Sequence, residues 1–173
     1  MNRKGIYLVA AITAVVGFLV DQASKWALLY PAGFLEQPYK EVHILPFFKL
    51  VLWWNKGTSF SLIPTGDPYV FAILSLVIVG FLVLWLSRVA TPILAIALGG
   101  VIGGAIGNVV DRLRFHAVID FLRFEWGTCS SLYCGWPAFN IADSLIVIGI
   151  GVLVFDGMFL SHKTDKMARR KQP

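Results

Sequence analysis

Four long apolar runs, a shortage of charge, and polar residues gathered at one end of the runs predict an all-α membrane protein. Its expected form is a four-transmembrane-helix bundle with a small β-rich segment on its outer surface. Hydrophobic residues make up 57% of the 173 and charged residues 14%, against about 25% charged in a soluble domain. A spanning helix needs about 20 mainly apolar residues, and the chain offers four such runs. They lie at about 6–29, 69–87, 92–110 and 139–160, read as one integral membrane domain over 1–173. The outer β-rich segment is placed at about 34–66 and an outer loop at about 111–138.

The first run is read as a retained span. It is long, it is followed by the charged Asp21 and Lys25, and it lacks a small-residue cleavage site of the A-x-A kind. Pro92 suits the start of the third, where its missing N–H costs nothing. Between the first two runs, His43 to Trp54 is rich in β-formers and Asn55-Lys56-Gly57 has turn chemistry. Trp53, Trp54 and nearby Phe residues suit an interfacial aromatic belt.

Short and long connections alternate, so both termini share a side with the tight turn Ser87–Thr91. That side holds eight basic residues and the other seven. Density decides, because the C-terminal tail packs five basic residues close to the last span, and the termini are placed inside. Acidic residues divide more sharply: Asp21, Glu36, Glu41, Asp67, Asp111, Asp120, Glu125 and Asp143 fall outside, and only Asp156 and Asp165 inside. An up-down-up-down bundle therefore brings Asp21, Lys25, Asn108, Asp111, Arg112, Asn140 and Asp143 to one depth near the outer surface. The net charge of +5 does not indicate nucleic acid, because no basic face is interleaved with stacking aromatics. Anionic lipid headgroups are the natural partner.

An ionisable residue in or beside a span is costly and defaults to a functional hypothesis. Asp120 and Asp143 are two such carboxylates with a possible common meeting point, which points to paired acid/base chemistry. Asn140 and Asp143, three apart at a helix start, also suit a cap and a dipole partner. Asn108, Asp111 and Arg112 share a helix face, with Gly100 and Gly104 one and two turns earlier; headgroup anchoring is the bland alternative. Asp21 and Lys25, four apart, read as a structural ion pair at a span end or as a brace for the site. Gly99, Gly103 and Gly107, with Gly100 and Gly104 in parallel, are small-residue stripes for close helix packing. Cys129 and Cys134 leave free thiols and a disulfide both open. They have no neighbours in zinc-ligand spacing, so no metal is expected. His43, His116 and His162 share no spacing and are assigned no chemistry.

Five blocks together resemble the lipoprotein signal peptidase family (signal peptidase II). They are Asp21-Gln22-Ala23-Ser24-Lys25, Asn55-Lys56-Gly57-Thr58-Ser59-Phe60, Gly104-Ala105-Ile106-Gly107-Asn108-Val109-Val110-Asp111-Arg112, Val118-Ile119-Asp120-Phe121 and Phe139-Asn140-Ile141-Ala142-Asp143. Each alone is weak; five in family order on a four-span chain are specific. The resemblance implies a bacterial inner-membrane aspartyl protease. It would cleave diacylglyceryl-modified prolipoproteins just before the lipidated cysteine, with Asp120 and Asp143 catalytic. Asp21, Lys25, Asn55, Gly104, Asn108, Asp111, Arg112 and Asn140 would support them. The resemblance also implies a surface β-cradle, an active site near the periplasmic face, no cofactor, and inhibition by the cyclic peptide globomycin. A monomer is expected. The stretch Glu125–Trp136 departs from the family as longer and cysteine-bearing. Rival readings are a proton-coupled carrier using the two acids as a relay, and a lipid-binding scaffold. A carrier's site usually lies near the midplane, whereas the polar residues here sit at one end.

Overall fold

A computed structural model describes residues 1–57, 67–126 and 135–160. Cys129 and Cys134, most of the stretch Glu125–Trp136 and the basic tail lie outside the described residues. Among the described residues four helices are long and apolar enough to cross a membrane. They are α1 (Arg3–Leu29), α2 (Pro68–Leu86), α3 (Pro92–Phe115) and α4 (Ile141–Phe155), the last continued by a π-helical turn over Asp156–Leu160. Three strands, β1 (Val42–Leu45), β2 (Phe48–Asn55) and β3 (Val118–Phe124), form one antiparallel sheet in the order β1-β2-β3. The protein is a multi-pass membrane protein: α1, α2 and α4 expose Leu, Ile, Val and Phe over most of their length, the pattern of helices solvated by lipid.

Helix α3 is the hub. Over its most apolar 18 residues 72% are buried, against 22% or less for each of the other three. Its two glycine stripes explain this, since they lie one residue apart and face different neighbours. Gly99 and Gly103 press on the backbone carbonyls of Ala10 and Ala14 in α1, and a Cβ on Gly107 would lie 2.6 Å from Asp21 Oδ2. On the next row, a Cβ on Gly104 would lie 2.6 Å from the carbonyl oxygen of Ala142 in α4. Small residues let backbones approach where packing alone drives helix association. Helix α2 packs along α3, while α1 also touches α4. At the other end, Arg3 Nη1 donates to the Ser87 and Val89 carbonyls (2.5 and 3.0 Å), fastening the start of α1 to the α2–α3 turn.

Two apolar clusters bracket a polar layer. One, near the α2–α3 turn, contains Ile6, Ala10, Leu82, Leu86, Leu98 and Ile102. The other lies under the sheet and contains Leu28, Leu29, Phe34, Leu52, Ile119 and Phe121. The buried polar residues of this layer include Asp21, Lys25, Asn108, Asp111, Asp120 and Asn140.

The structure differs from the sequence reading at three boundaries. Helix α3 runs to Phe115, five residues past the expected end, so Asp111 and Arg112 are helical rather than in the outer loop. Their charges stop the hydropathy signal but are met within the fold. The β1–β2 hairpin turns at Pro46-Phe47, while Asn55, which opens the expected turn to Gly57, also ends β2 and pairs with Val118. The third strand, unforeseen, comes from the second outer connection. His116, left-handed at φ +56°, caps α3 and turns the chain into it.

Gly104→Ala should destabilise the protein, by about 1–3 kcal/mol for overpacking against backbone. Gly80→Ala in α2, whose Cβ would meet nothing within 4 Å, should be neutral or slightly stabilising. Thermal unfolding of the two variants in detergent checks the contrast.

Candidate active site

The site is built from the ends of α1, α3 and α4 and the middle of β3. Lys25 is its buried cation. Its ammonium lies 2.7 Å from Asp21 Oδ2 and 2.6 Å from Asp111 Oδ2, and it donates to Asn108 Oδ1 at 3.2 Å. These are its three protons' worth of partners. The four-residue spacing stacks Lys25 on Asp21 in α1, and the close approach at Gly107 brings in the α3 side.

The two flanking carboxylates reach further. Asp21 Oδ1 accepts from the backbone N–H of Ala142 at 2.9 Å. Asp111 Oδ2 accepts from the backbone N–H of Ile119 at 3.3 Å. Ala142 precedes Asp143, and Ile119 precedes Asp120. The Asp21–Lys25–Asp111 cluster thus anchors the backbone immediately before each candidate catalytic acid. Gln22, which the sequence reading passes over although it stands in the same block, closes this cluster. Its Nε2 donates to Asp111 Oδ1, Asp21 Oδ2 and the Gly107 carbonyl (3.0, 3.2 and 3.3 Å).

Asp120 is buried in β3 opposite Trp53. Its Oδ1 accepts from Asn140 Nδ2 at 2.7 Å and its Oδ2 from Asn55 Nδ2 at 2.9 Å. Asn55 is oriented by its own turn, where Oδ1 accepts from Gly57 N at 2.9 Å and Gly57 adopts φ +78°. Asp143 stands half-buried in the first turn of α4. Its Oδ1 accepts from Asn108 Nδ2 at 2.8 Å. Asn140 and Asp143 form a reciprocal capping box: Asp143 N donates to Asn140 Oδ1, and Asn140 N to Asp143 Oδ2 (2.9 and 3.3 Å). The cap expected from the sequence is therefore present, and the same asparagine also serves Asp120. Asn140 Nδ2 further reaches Asn108 Oδ1 at 3.2 Å. Two amides, Asn108 and Asn140, link the two carboxylates.

Arg112 is one of the residues that the resemblance makes supporting. Among the described residues its guanidinium hydrogen-bonds neither Asp120 nor Asp143; it donates to the Asn108 carbonyl at 3.4 Å and lies over the Phe71 ring, 5.7 Å from its centroid. Gly104 acts through packing on Ala142. Beside Asp120 opens a cavity of about 150 Å³, lined by Trp53, Asn55, Arg123 and Trp136 to Ala138. At the sheet's outer end Lys49 ties Glu41 to Glu125 (2.7 and 2.8 Å). That tie holds the Glu125 carboxyl below its usual range. No cluster of His, Cys, Asp and Glu suited to a metal occurs among the described residues.

Burial, with the neighbouring charge of Asp143, pushes the Asp120 carboxyl up to about 7. Donation from Asn55 and Asn140 and the charge of Lys25 partly oppose this. Such a pair resists double ionisation.

This arrangement defines a multi-pass membrane protein with two amide-bridged acids at one end of its bundle. The family Signal peptidase (SPase) II matches residues 13–159. The lipoprotein signal peptidase of Aeromonas hydrophila subsp. hydrophila is 43% identical over 159 residues, covering 88% of this chain and 89% of the relative. That of Rhodopseudomonas palustris is 40% identical over 151 residues, covering 85% and 90%. A solved bacterial membrane enzyme, determined by the in meso method at 1.9 Å, superposes with a TM-score of 0.72 over 87% of this chain and 92% of its own. At 23% identity that likeness shows the fold. The chain belongs to the signal peptidase II family, and is a protease of that family.

Lys25→Met should destabilise the fold by about 3–5 kcal/mol, because two buried carboxylates lose their cation. Denaturation in detergent measures this. Asp120 binds its proton more tightly folded than unfolded. Its stabilising contribution is therefore full below pH about 4 and lost as pH rises through about 7. Asp120→Asn should flatten the fall in thermal stability between pH about 4 and about 7.

Proposed function

We propose that this chain removes the signal peptide from diacylglyceryl-modified prolipoproteins just before the lipidated cysteine, as a two-aspartate endopeptidase. The observation that carries the reading is the bridging of Asp120 and Asp143 by Asn108 and Asn140. The names of the relatives support the substrate class.

Asp120 is the buried member, and with its carboxyl pushed up to about 7 it is the one that holds the shared proton. Asp143 stands at the start of a helix, whose dipole favours negative charge. In the proposed sequence, Asp143 takes a proton from water as the water oxygen attacks the scissile carbonyl. Asp120 gives its proton to the carbonyl oxygen, which becomes the hydroxyl of a tetrahedral diol. Asp143 then protonates the leaving nitrogen, the C–N bond breaks, and Asp120 recovers its proton from that hydroxyl. No covalent enzyme intermediate forms, and the pair titrates as a unit.

The setting suits a lipidated substrate. Each buried methylene contributes about 0.8 kcal/mol, so acyl chains can be held laterally while the peptide lies at headgroup depth. The sheet and the cavity between Trp53 and Trp136 would receive the extended peptide from the aqueous side. We place the termini in the cytoplasm and the site near the periplasmic face of a bacterial inner membrane. The protein acts as a monomer and takes globomycin at this site. The polar layer lies at one end of the bundle rather than at mid-span, which disfavours the carrier reading.

Asp120→Asn and Asp143→Asn should each lower cleavage of a diacylglyceryl-modified prolipoprotein by at least about 100-fold, with insertion and folding intact. Ordinary turnover in either variant would sink the two-acid mechanism. The wild-type kcat/KM should decline as pH rises through about 7, where Asp120 loses its proton.

A further inference from the structure

We propose that Phe71 on α2 is a positioning residue, its ring holding the Asn55 turn and Arg112 and, through them, the amides that bind Asp120 and Asp143. The inference rests on the hydrolytic reading of those two acids.

Helix α2 contributes no polar group to the carboxylates, yet its first turns are fastened to the site. Asp67 caps it, accepting from Tyr69 N at 2.8 Å. Tyr69 meets His116 edge-on at 5.7 Å between ring centroids. One turn along, Phe71 is half-buried and touches two independent supports.

The first support is the Asn55 turn. Gly57 lies against the Phe71 ring, and a Cβ there would come within 2.7 Å of Cε2. Gly57 N is what orients Asn55 Oδ1, so that Asn55 Nδ2 faces Asp120. The ring is therefore a backstop for a turn whose other side is a hydrogen bond to an acid. The second support is Arg112, which lies over the ring in cation–π contact. Arg112 donates to the carbonyl of Asn108, whose Nδ2 binds Asp143. One aromatic ring thus meets both arms of the site, one arm for each acid.

Apolar packing alone would make Phe71 replaceable by leucine. Positioning requires the flat ring, which a guanidinium and a glycine backbone can both lie against. The consequence is electrostatic as well as geometric. Asp120 faces Asp143 on α4 and Lys25 on α1. Asp111 and Arg112 lie on α3, and Asn55 and Asn140 donate directly. Donation by Asn55 lowers the proton affinity of Asp120. A displaced turn weakens that donation and raises the affinity further.

The test is cleavage of a diacylglyceryl-modified prolipoprotein by full-length protein in detergent. Phe71→Leu, Phe71→Ala and Phe71→Trp are compared, with Phe81→Ala as control. Phe81 is on the same helix, exposed on the lipid-facing surface and far from the site. Phe71→Leu should lower kcat roughly 10- to 100-fold, the scale of a misplaced reacting group, with KM little changed. Its alkaline limb should move to higher pH. Phe71→Trp should restore most of both, and Phe81→Ala should alter neither. Wild-type kcat in Phe71→Leu, or a lowered kcat with an unmoved alkaline limb, overturns the positioning role. Equal losses in Phe81→Ala overturn it as well. Should Phe71→Ala fail to fold, Phe71→Leu decides. A wild-type protein that does not cleave would overturn the hydrolytic reading, and this inference with it.

Discussion

The buried ammonium of Lys25 is the interaction on which the rest depends. Two carboxylates, Asp21 and Asp111, lie within 2.7 Å of it at positions shielded from water. Without it, two desolvated anions would face each other across α1 and α3, a cost of several kcal/mol per ion. With it, each carboxylate keeps one oxygen or lone pair for the backbone. Asp21 spends its own on the N–H of Ala142 and Asp111 on that of Ile119. One cation therefore fixes the entry of α4 and the register of β3 together, and each is adjacent to a proposed catalytic acid.

The glycine stripes of α3 are the precondition for that network. Side-chain reach is short: Asp21 has to meet a backbone N–H on α4 and an ammonium shared with α3. A Cβ on Gly107 would occupy the space of the Asp21 carboxylate, and one on Gly104 that of the Ala142 carbonyl. Close packing and polar connectivity are the same constraint here, since a wider helix separation would break the hydrogen bonds before it exposed any apolar surface.

Much of this could be read in the chain before folding. Hydropathy marks the four helices, because each run is long and its charges sit at the ends. The one-residue offset between glycine rows marks α3 as a helix with two tight neighbours. The i, i+3 and i+4 spacings put Asn108, Asp111 and Arg112 on one face, and Asn140 with Asp143 on another. What escaped the reading is what long-range pairing creates. Val118–Phe124 becomes a strand only beside β2, where Asn55 meets Asp120 across 65 positions of sequence. Charge masked the last five residues of α3. Phe71 carries no local signal at all, being one apolar residue in an apolar helix, and only its contacts with Gly57 and Arg112 distinguish it.

The choice of partners for the two proposed catalytic acids completes the argument. Among the described residues no cation hydrogen-bonds Asp120 or Asp143: Lys25 is committed to Asp21 and Asp111, and Arg112 to the Asn108 carbonyl and Phe71. Asn55, Asn108 and Asn140 donate instead. A guanidinium in their place would fix the geometry equally well, but would let both carboxylates ionise at neutral pH. Amides fix position without adding charge, so repulsion between the acids persists and one proton stays bound. In the proposed mechanism the buried member, Asp120, pushed up to about 7, supplies the proton, and Asp143 takes one from water.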